Sequence, residues 1–528
     1  MKAKSVFAGI GILAVIMLLL SLSGISRFWQ ANPGDLTAGV SSRPMAAKFL
    51  PKRSPLVASL LVNPEQLIRY VQTRVMPSDR HYVSQEVRQI KQYLEQEWLL
   101  DYQQDVEGWL DQEITLAVTS TDLDRDPSNG NQPGYLLALA SKNIELTKQK
   151  MDAFWQRQAV RDLEFEQYQG ISIIGIKPNL NRNLSGAVFG KFALFANDPR
   201  VIRNAINDLQ VPELALGSLP QYVQGLSQVT SHPIGIAFAN GAELELQDLF
   251  ASLGWAMGTD DWLKELQAGM TVAVGLTPQG LQAETILGLA QPTKFSPVPV
   301  QALGISELVS GEISHWVGYD LARTWRELTE TLSDYPSLSP VLTQISTRLD
   351  QGIGVKFEQD ILPWLDGAYA LAWQPNPKGN PDWLLAVENH EGVDQAIAHL
   401  DQVAHEQAHL TVGEVLVNQQ PLTVWTQLET VKGRQQSKLT GSVVTVHTKT
   451  DKYTILASSI EAVNRALQLR PETLSLPTNA LGYAYIQPQI LPFQLPRQVK
   501  AINLVAIAPE ENDPATIRRG QIGITLGR

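Results

Sequence analysis

Apolar runs and helical stripes alternate along this chain in a way that predicts a mixed fold. Leu56 to Val62 forms a β-like run, and Asn63-Pro64 then opens a helix in which Leu67, Ile68 and Val71 keep helical spacing. A second helix is predicted from Ser84 to Trp98, with Val87, Ile90, Tyr93 and Leu94 as its stripe. Strands follow at Ile114 to Thr119 and Tyr135 to Ala140, then a helix from Ile144 to Ala159, then strands at Leu163 to Tyr168 and Ile171 to Ile176. Ala187 to Phe189 and Phe192 to Ala196 read as a hairpin, and Asp198-Pro199 starts a helix carrying Val201, Ile202, Ala205 and Ile206. Strands at Ile234 to Ala239, Thr271 to Leu276 and Leu281 to Gly288 complete this part. The short connections favour antiparallel pairing.

The pattern then repeats. Asp105, Trp109, Leu110 and Asp111 recur as Asp360, Trp364, Leu365 and Asp366, and each aspartate suits the N-cap of a short turn. Tyr135 to Leu139 has a counterpart in Trp383 to Val387, Gly170 to Ile173 in Pro421 to Val424, and Leu194 to Ile206 in Ile455 to Leu467. Gly482 to Tyr485 parallels Gly235 to Phe238, and Asn503 to Ile507 and Gln521 to Leu526 parallel the closing pair. The expectation is an α+β fold of two tandem duplicated lobes, residues 56–290 and 305–528, joined by a Pro-rich hinge at 291–304. Each lobe is expected to be an antiparallel sheet with helices on one face.

Length and composition agree with this division. A chain of 528 residues exceeds one ordinary core, and 44% hydrophobic with 18% charged residues is a globular balance. A net charge of -11 without a Lys/Arg cluster argues against nucleic acid as a partner. The absence of cysteine excludes disulfides, thiolate catalysis and Cys-ligated zinc.

Lys2 and Lys4 precede an uncharged, mostly apolar stretch from Ser5 to Ser26, long enough to cross a membrane, and Arg27, Phe28 and Trp29 suit the far interface. Residues 1–30 are therefore expected to be a signal anchor that tethers the exported body to the membrane. Cleavage before Gly24, with Ser21 and Ser23 as the small residues, is the competing reading, and it exports the protein too. Residues 31–55 are rich in Pro, Gly, Ser and Ala and read as a spacer.

His405-Glu406-Gln407-Ala408-His409 is an H-E-x-x-H string on a predicted helix, the spacing with which two imidazoles chelate zinc while the Glu activates water. Val412 and Val415 occupy the places where an extended motif needs Gly and His, which leaves Glu429 as a distant third ligand. Val393, Ile397, Leu400, Ala404 and Ala408 form the apolar face of that helix, so both histidines are expected in solvent. The corresponding residues of the first lobe are Phe154 and Gln158. Gly186 to Phe192 is one residue short of a phosphate loop and reads as a hairpin. Asp122, Asp124 and Asp126 alternate like a calcium loop, but Pro127 stands where Gly is required, which makes them an acidic surface loop. No pattern names a catalytic, metal or cofactor-binding residue.

Phe49-Leu50-Pro51 with Leu56 to Pro64, and the segment from Asp360 to Gly367, resemble an uncharacterised, mainly cyanobacterial family of membrane-anchored exported proteins, domain of unknown function 3352. The resemblance implies a body in the periplasm or thylakoid lumen and supplies no catalytic residues. The expected function is non-enzymatic: a membrane-tethered binding or scaffolding protein that engages a membrane-protein complex or a lipid or pigment. A zinc hydrolase using His405, Glu406 and His409 is the alternative.

Overall fold

The structure, a computed structural model, describes residues 43–67, 91–92, 94–126, 128, 132–160, 162–176, 183–243, 269–277, 280–288, 305, 308–309, 313–332, 347, 356–374, 376, 382–406, 409–432, 437–468, 480–488, 499–508 and 516–526. The expected anchor at 1–30, the hinge at 291–304 and most of the helix expected from Ser84 lie outside them. The chain divides into two compact units, one of residues 1–292, 496–500 and 516–528, the other of 293–495 and 501–515.

The first unit contains β1 (Leu56–Leu60), β2 (Leu110–Ser120), β3 (Gly134–Ser141), β4 (Leu163–Tyr168), β5 (Ile171–Ile176), β6 (Ser185–Phe189), β7 (Phe192–Ala196), β8 (Gly235–Asn240), β9 (Gly269–Thr277) and β10 (Gly280–Gly288). They pair antiparallel in the order β4-β5-β6-β7-β3-β2-β1-β8-β9-β10. Helix α1 (Ile144–Gln158) connects β3 to β4, and its N-cap Asn143 accepts the Leu146 N–H. Helices α2 (Pro199–Gln210) and α3 (Pro220–Ser227) lie between β7 and β8; Asp198 caps α2, and Pro199 fills its first turn.

Helices cover both faces of this sheet, not one. Along β3, Tyr135, Leu137 and Leu139 enter a core with Met151, Phe154 and Trp155 of α1. The intervening Leu136, Ala138 and Ala140 enter a second core with Val201, Ile202, Ala205 and Ile206 of α2 and Tyr222 of α3. All eight residues of β3 are buried, so the strand is an unbroken apolar run with no solvent-facing register.

The second unit repeats the two-sided arrangement. It holds β11 (Ser314–Tyr319), α4 (Leu321–Leu332), β12 (Ala368–Gln374), β13 (Asp382–Glu388), α5 (Val393–Glu406), β14 (Thr411–Val417), β15 (Gln420–Lys432), β16 (Ser437–Lys449), β17 (Tyr453–Ala457), α6 (Ile460–Gln468), β18 (Ala480–Ile486) and β19 (Val499–Ile507). The antiparallel order is β14-β15-β16-β17-β13-β12-β11-β18-β19. Ala368, Ala370 and Ala372 of β12 pack with Ala462, Val463 and Ala466 of α6. Tyr369 of the same strand packs with Val393, Leu400, Val403 and Ala404 of α5.

Two expected boundaries move. The final strand, β20 (Ile517–Leu526), groups with the first unit and pairs with β10 from Gly280↔Thr525 to Gly288↔Ile517. The amide Nε2 of Gln224 on α3 donates to Thr516 Oγ1 at 3.3 Å beside it. The spacer expected over 31–55 also ends sooner, because Met45–Phe49 is a 3-10 turn with Ala46, Ala47 and Phe49 buried. Glu113 fixes that turn by accepting the Met45 and Ala46 N–H groups at 2.8 Å each. Phe49 packs edge-on against Phe192 at 5.1 Å.

Asp208 on α2 is buried, and its Oδ2 has no hydrogen-bond partner. Burial pushes its carboxyl up from the ordinary value to about 7. With a folded pKa above the unfolded one, the native state holds a proton that the unfolded chain releases, so stability falls as pH rises from about 4 to about 7. Asp208→Asn removes that slope. Urea midpoints at pH 5 and pH 8 check this: the wild type should lose on the order of 2–4 kcal/mol between them and the variant much less.

Candidate functional sites

The H-E-x-x-H string does not form two successive turns of a helix. Helix α5 ends at Glu406, and His409 lies beyond it with φ at 54°. The Leu410 N–H donates to Ala404 O at 2.9 Å, closing the helix end, and His405 Nδ1 is 3.3 Å from Leu410 O. Both imidazoles are exposed, whereas a catalytic zinc site needs them together in a sheltered cleft. Glu429 lies on β15, where its backbone pairs with Thr440. Among the described residues, no group of three or more His, Asp or Glu side chains could hold a metal ion.

The other sequence candidates have structural uses. Gly186 to Phe192 is a hairpin, with Gly190 in the left-handed region between β6 and β7. Asp124 and Asp126 accept local backbone N–H groups from Asp126 and Ser128, and Asp122 accepts that of Gln132, so the three carboxylates pin a surface loop.

Asp105 and Asp360 are not N-caps as expected. Tyr102–Val106 and Phe357–Ile361 are π-turns, and each aspartate comes late in its turn and reaches back: Asp105 Oδ2 accepts the Asp101 N–H at 3.0 Å, and Asp360 Oδ2 the Lys356 N–H at 2.8 Å. Asp101 is the true cap of the first turn. Each aspartate carbonyl accepts the indole N–H of the tryptophan four residues on, Trp109 or Trp364. The remaining carboxylate oxygen meets a side chain from the helix above: Arg157 Nη2 of α1 bonds Asp105 Oδ1, and His399 Nε2 of α5 lies 3.2 Å from Asp360 Oδ1.

A third aspartate gathers partners that sequence spacing concealed. Asp401 Oδ1 on α5 accepts Trp425 Nε1 at 2.6 Å and His447 Nε2 at 2.9 Å, from β15 and β16. Burial opposes ionisation of Asp401, but the bonds from His447 and Trp425 outweigh it and hold the carboxyl below the usual range. These residues are 24 and 46 positions from Asp401. Only the strand register could have brought them together.

Two clefts open on opposite faces of β5 and β6. One, of about 260 Å³, lies under the start of α2 and includes Ile173, Ser185, Arg200 and Arg203. Both its arginines are paired, Arg203 with both oxygens of Glu166 at 2.9 and 3.0 Å and Arg200 with Asp198. The other, of about 210 Å³, lies beside Met151 and Trp155 of α1 over Ile174 and Phe195. Gly186 permits that packing, since a Cβ there would stand 2.9 Å from Trp155.

This architecture, with its turn-and-helix clamps, is that of an α+β protein with large antiparallel sheets. Residues 12–513 match the family described as protein of unknown function DUF3352, and the chain belongs to it. No curated protein and no solved structure matches the chain.

The clamps predict unequal effects. Asp105 is almost fully buried, so Arg157→Met should destabilise by about 2 kcal/mol, a charged hydrogen bond's worth. The exposed His399–Asp360 pair is screened, and His399→Ala should cost under about 1 kcal/mol. Urea titration of each variant measures both. His405→Ala with His409→Ala should shift stability by no more than about 0.5 kcal/mol. Stoichiometric zinc in the wild type that disappears in this double variant would contradict the solvent-face reading.

Proposed function

We propose that this is a non-enzymatic, exported binding or scaffolding protein, held at a membrane by its N-terminal segment with the body in a periplasm or thylakoid lumen. The body is two copies of one lobe. Duplication is supported by the strand order, since β14-β15-β16-β17-β13-β12-β11-β18-β19 follows the same sequence of neighbours as β4-β5-β6-β7-β3-β2-β1-β8-β9. The paired Asp–Trp π-turns support it too. For the anchor, the support is the apolar stretch from Ser5 to Ser26; no helix among the described residues is long and apolar enough to cross a membrane.

The observation that carries the binding reading is the chemistry of the sheet edges. Among the described residues, β4 pairs only with β5 and β14 only with β15, and each edge strand displays a large apolar side chain to water: Phe165 is 69% exposed and Leu416 73%. An edge strand with free backbone groups and apolar side chains invites another strand or apolar surface. A membrane-protein complex, or a lipid or pigment, is the class of partner this suits.

Co-purification from detergent-solubilised membranes tests the proposal. Tagged full-length protein should retain a specific partner that is lost when Phe165→Ser and Leu416→Ser are combined, with the fold unchanged by circular dichroism. A zinc-dependent peptidase activity, or the same co-purifying set from wild type and variant, would sink it.

A further inference from the structure

The two units treat one place differently. In the first, the rung Phe165–Ile174–Gly186–Phe195 crosses β4 to β7; in the second, Glu414–Thr423–His447–Leu456 crosses β14 to β17. Phe195 and Leu456 match in sequence, as the second residues of Leu194 to Ile206 and Ile455 to Leu467, so Gly186 stands where His447 does. The helices above agree. Counted from their first residues, Ile144 and Val393, the buried Met151, Phe154 and Trp155 of α1 match the buried Leu400, Val403 and Ala404 of α5. This count sets Asp152 against Asp401, and Phe154 against Val403 rather than His405.

In the second unit the place is full. His447 is buried there, its Nε2 lying 2.9 Å from Asp401 Oδ1. In the first unit the sizes are exchanged: Trp155 replaces the small Ala404, and Gly186, where a Cβ would stand 2.9 Å from Trp155, replaces the imidazole. The exchange is incomplete. A cleft of about 210 Å³ remains, walled by Met151, Trp155, Ile174 and Val188, and its charged lining residues are Lys148 and Asp152, both exposed. Lys148 Nζ donates to Glu145 at 3.2 Å, whereas the Asp152 carboxylate has no partner among the described residues.

We propose that this cleft binds a small aromatic amine, its ring against Met151, Trp155 and Ile174 and its ammonium on Asp152. The second unit carries the same recognition chemistry in its own side chains, where an aspartate on the helix bonds the ring nitrogens of Trp425 and His447 over the sheet. In the first unit the aspartate is kept and the imidazole is gone. An apolar wall with a few placed polar groups is the ordinary form of a small-ligand site, and here the one unanswered charge is negative. A cation is therefore the head group that fits, and the indole face of Trp155 attracts positive charge as well. A carboxylate head would face Asp152, with Lys148 already bonded to Glu145. This deepens the binding reading above and takes its residue equivalences from the two-copy reading; the cleft and its carboxylate depend on neither.

Three probes that share one ring and differ in the head group test this: para-fluorophenethylamine, para-fluorophenethyl alcohol and para-fluorophenylpropionate. Fluorine NMR of each with the full-length protein reads binding as line broadening. The expected order is the amine first, the alcohol weaker, and no detectable binding of the propionate. Asp152→Asn should weaken the amine by about tenfold, the worth of one charged hydrogen bond, and leave the alcohol unchanged. Ile174→Trp, at a partly exposed position, should fill the cleft and abolish the broadening of both. Thermal unfolding checks that each variant is folded, and should Ile174→Trp fail to fold, the exposed Asp152→Asn decides alone. Equal broadening by the three probes, amine binding that survives Asp152→Asn undiminished, or no amine binding at all overturns the proposal. The co-purification test above is read on Phe165 and Leu416, neither of which lines the cleft, so the two proposals fail separately.

Discussion

Strands that are apolar on both sides govern this molecule. A residue of β3 such as Leu137 faces the α1 side and its neighbour Ala138 the α2 side, so neither face of the strand can be left to water. Burying a large aliphatic side chain contributes about 1.5–3 kcal/mol, and a bare face of this sheet would forfeit that several times over. The distribution of sizes follows from the same demand. β3 turns Tyr135, Leu137 and Leu139 toward α1 but Leu136, Ala138 and Ala140 toward α2, and β12 turns Ala368, Ala370 and Ala372 toward α6 but Tyr369 toward α5. Small residues let one helix come close while large ones fill the space under the other. With both faces consumed by helices, the surfaces left for recognition are edges, turns and the clefts beside the helices.

Much of this was legible. The hairpin of β6 and β7, the Asp198-Pro199 helix start and the order of strands followed from turn residues and apolar runs. Sidedness was misread, although Tyr135-Leu136-Leu137-Ala138-Leu139-Ala140 carries the signal: an unbroken apolar strand is covered twice, and only alternation indicates one wet face. The likeness of Gly170 to Pro421 shows another limit. The left-handed turn residues are Gln169-Gly170 in one hairpin and Asn418-Gln419 in the other, so matching the turns sets Gly170 against Gln419 and moves the register by two residues. A shift of two preserves which side each residue faces, so hydrophobic pattern cannot detect it. The pairing of β20 with β10 was invisible for a different reason, because local sequence does not encode which edge a strand joins.

The Asp–Trp turns show how one backbone device tolerates different chemistry. A π-turn followed by a strand leaves carbonyl groups needing donors near the core, and the indole of Trp109 or Trp364 supplies one from an apolar body. The carboxylate above it must be answered according to its burial. Asp105, with its side chain 2% exposed, takes the permanent charge of Arg157; Asp360, at 15%, is met by the imidazole of His399. Histidine in the second unit is thus drawn into structural pairs. His447 serves Asp401 in the same way, and His405 and His409 are left exposed at and beyond the end of α5. Spacing alone made His405 and His409 resemble zinc ligands. Burial and register make His399 and His447 hydrogen-bond partners of aspartates, and leave His405 and His409 on the solvent face.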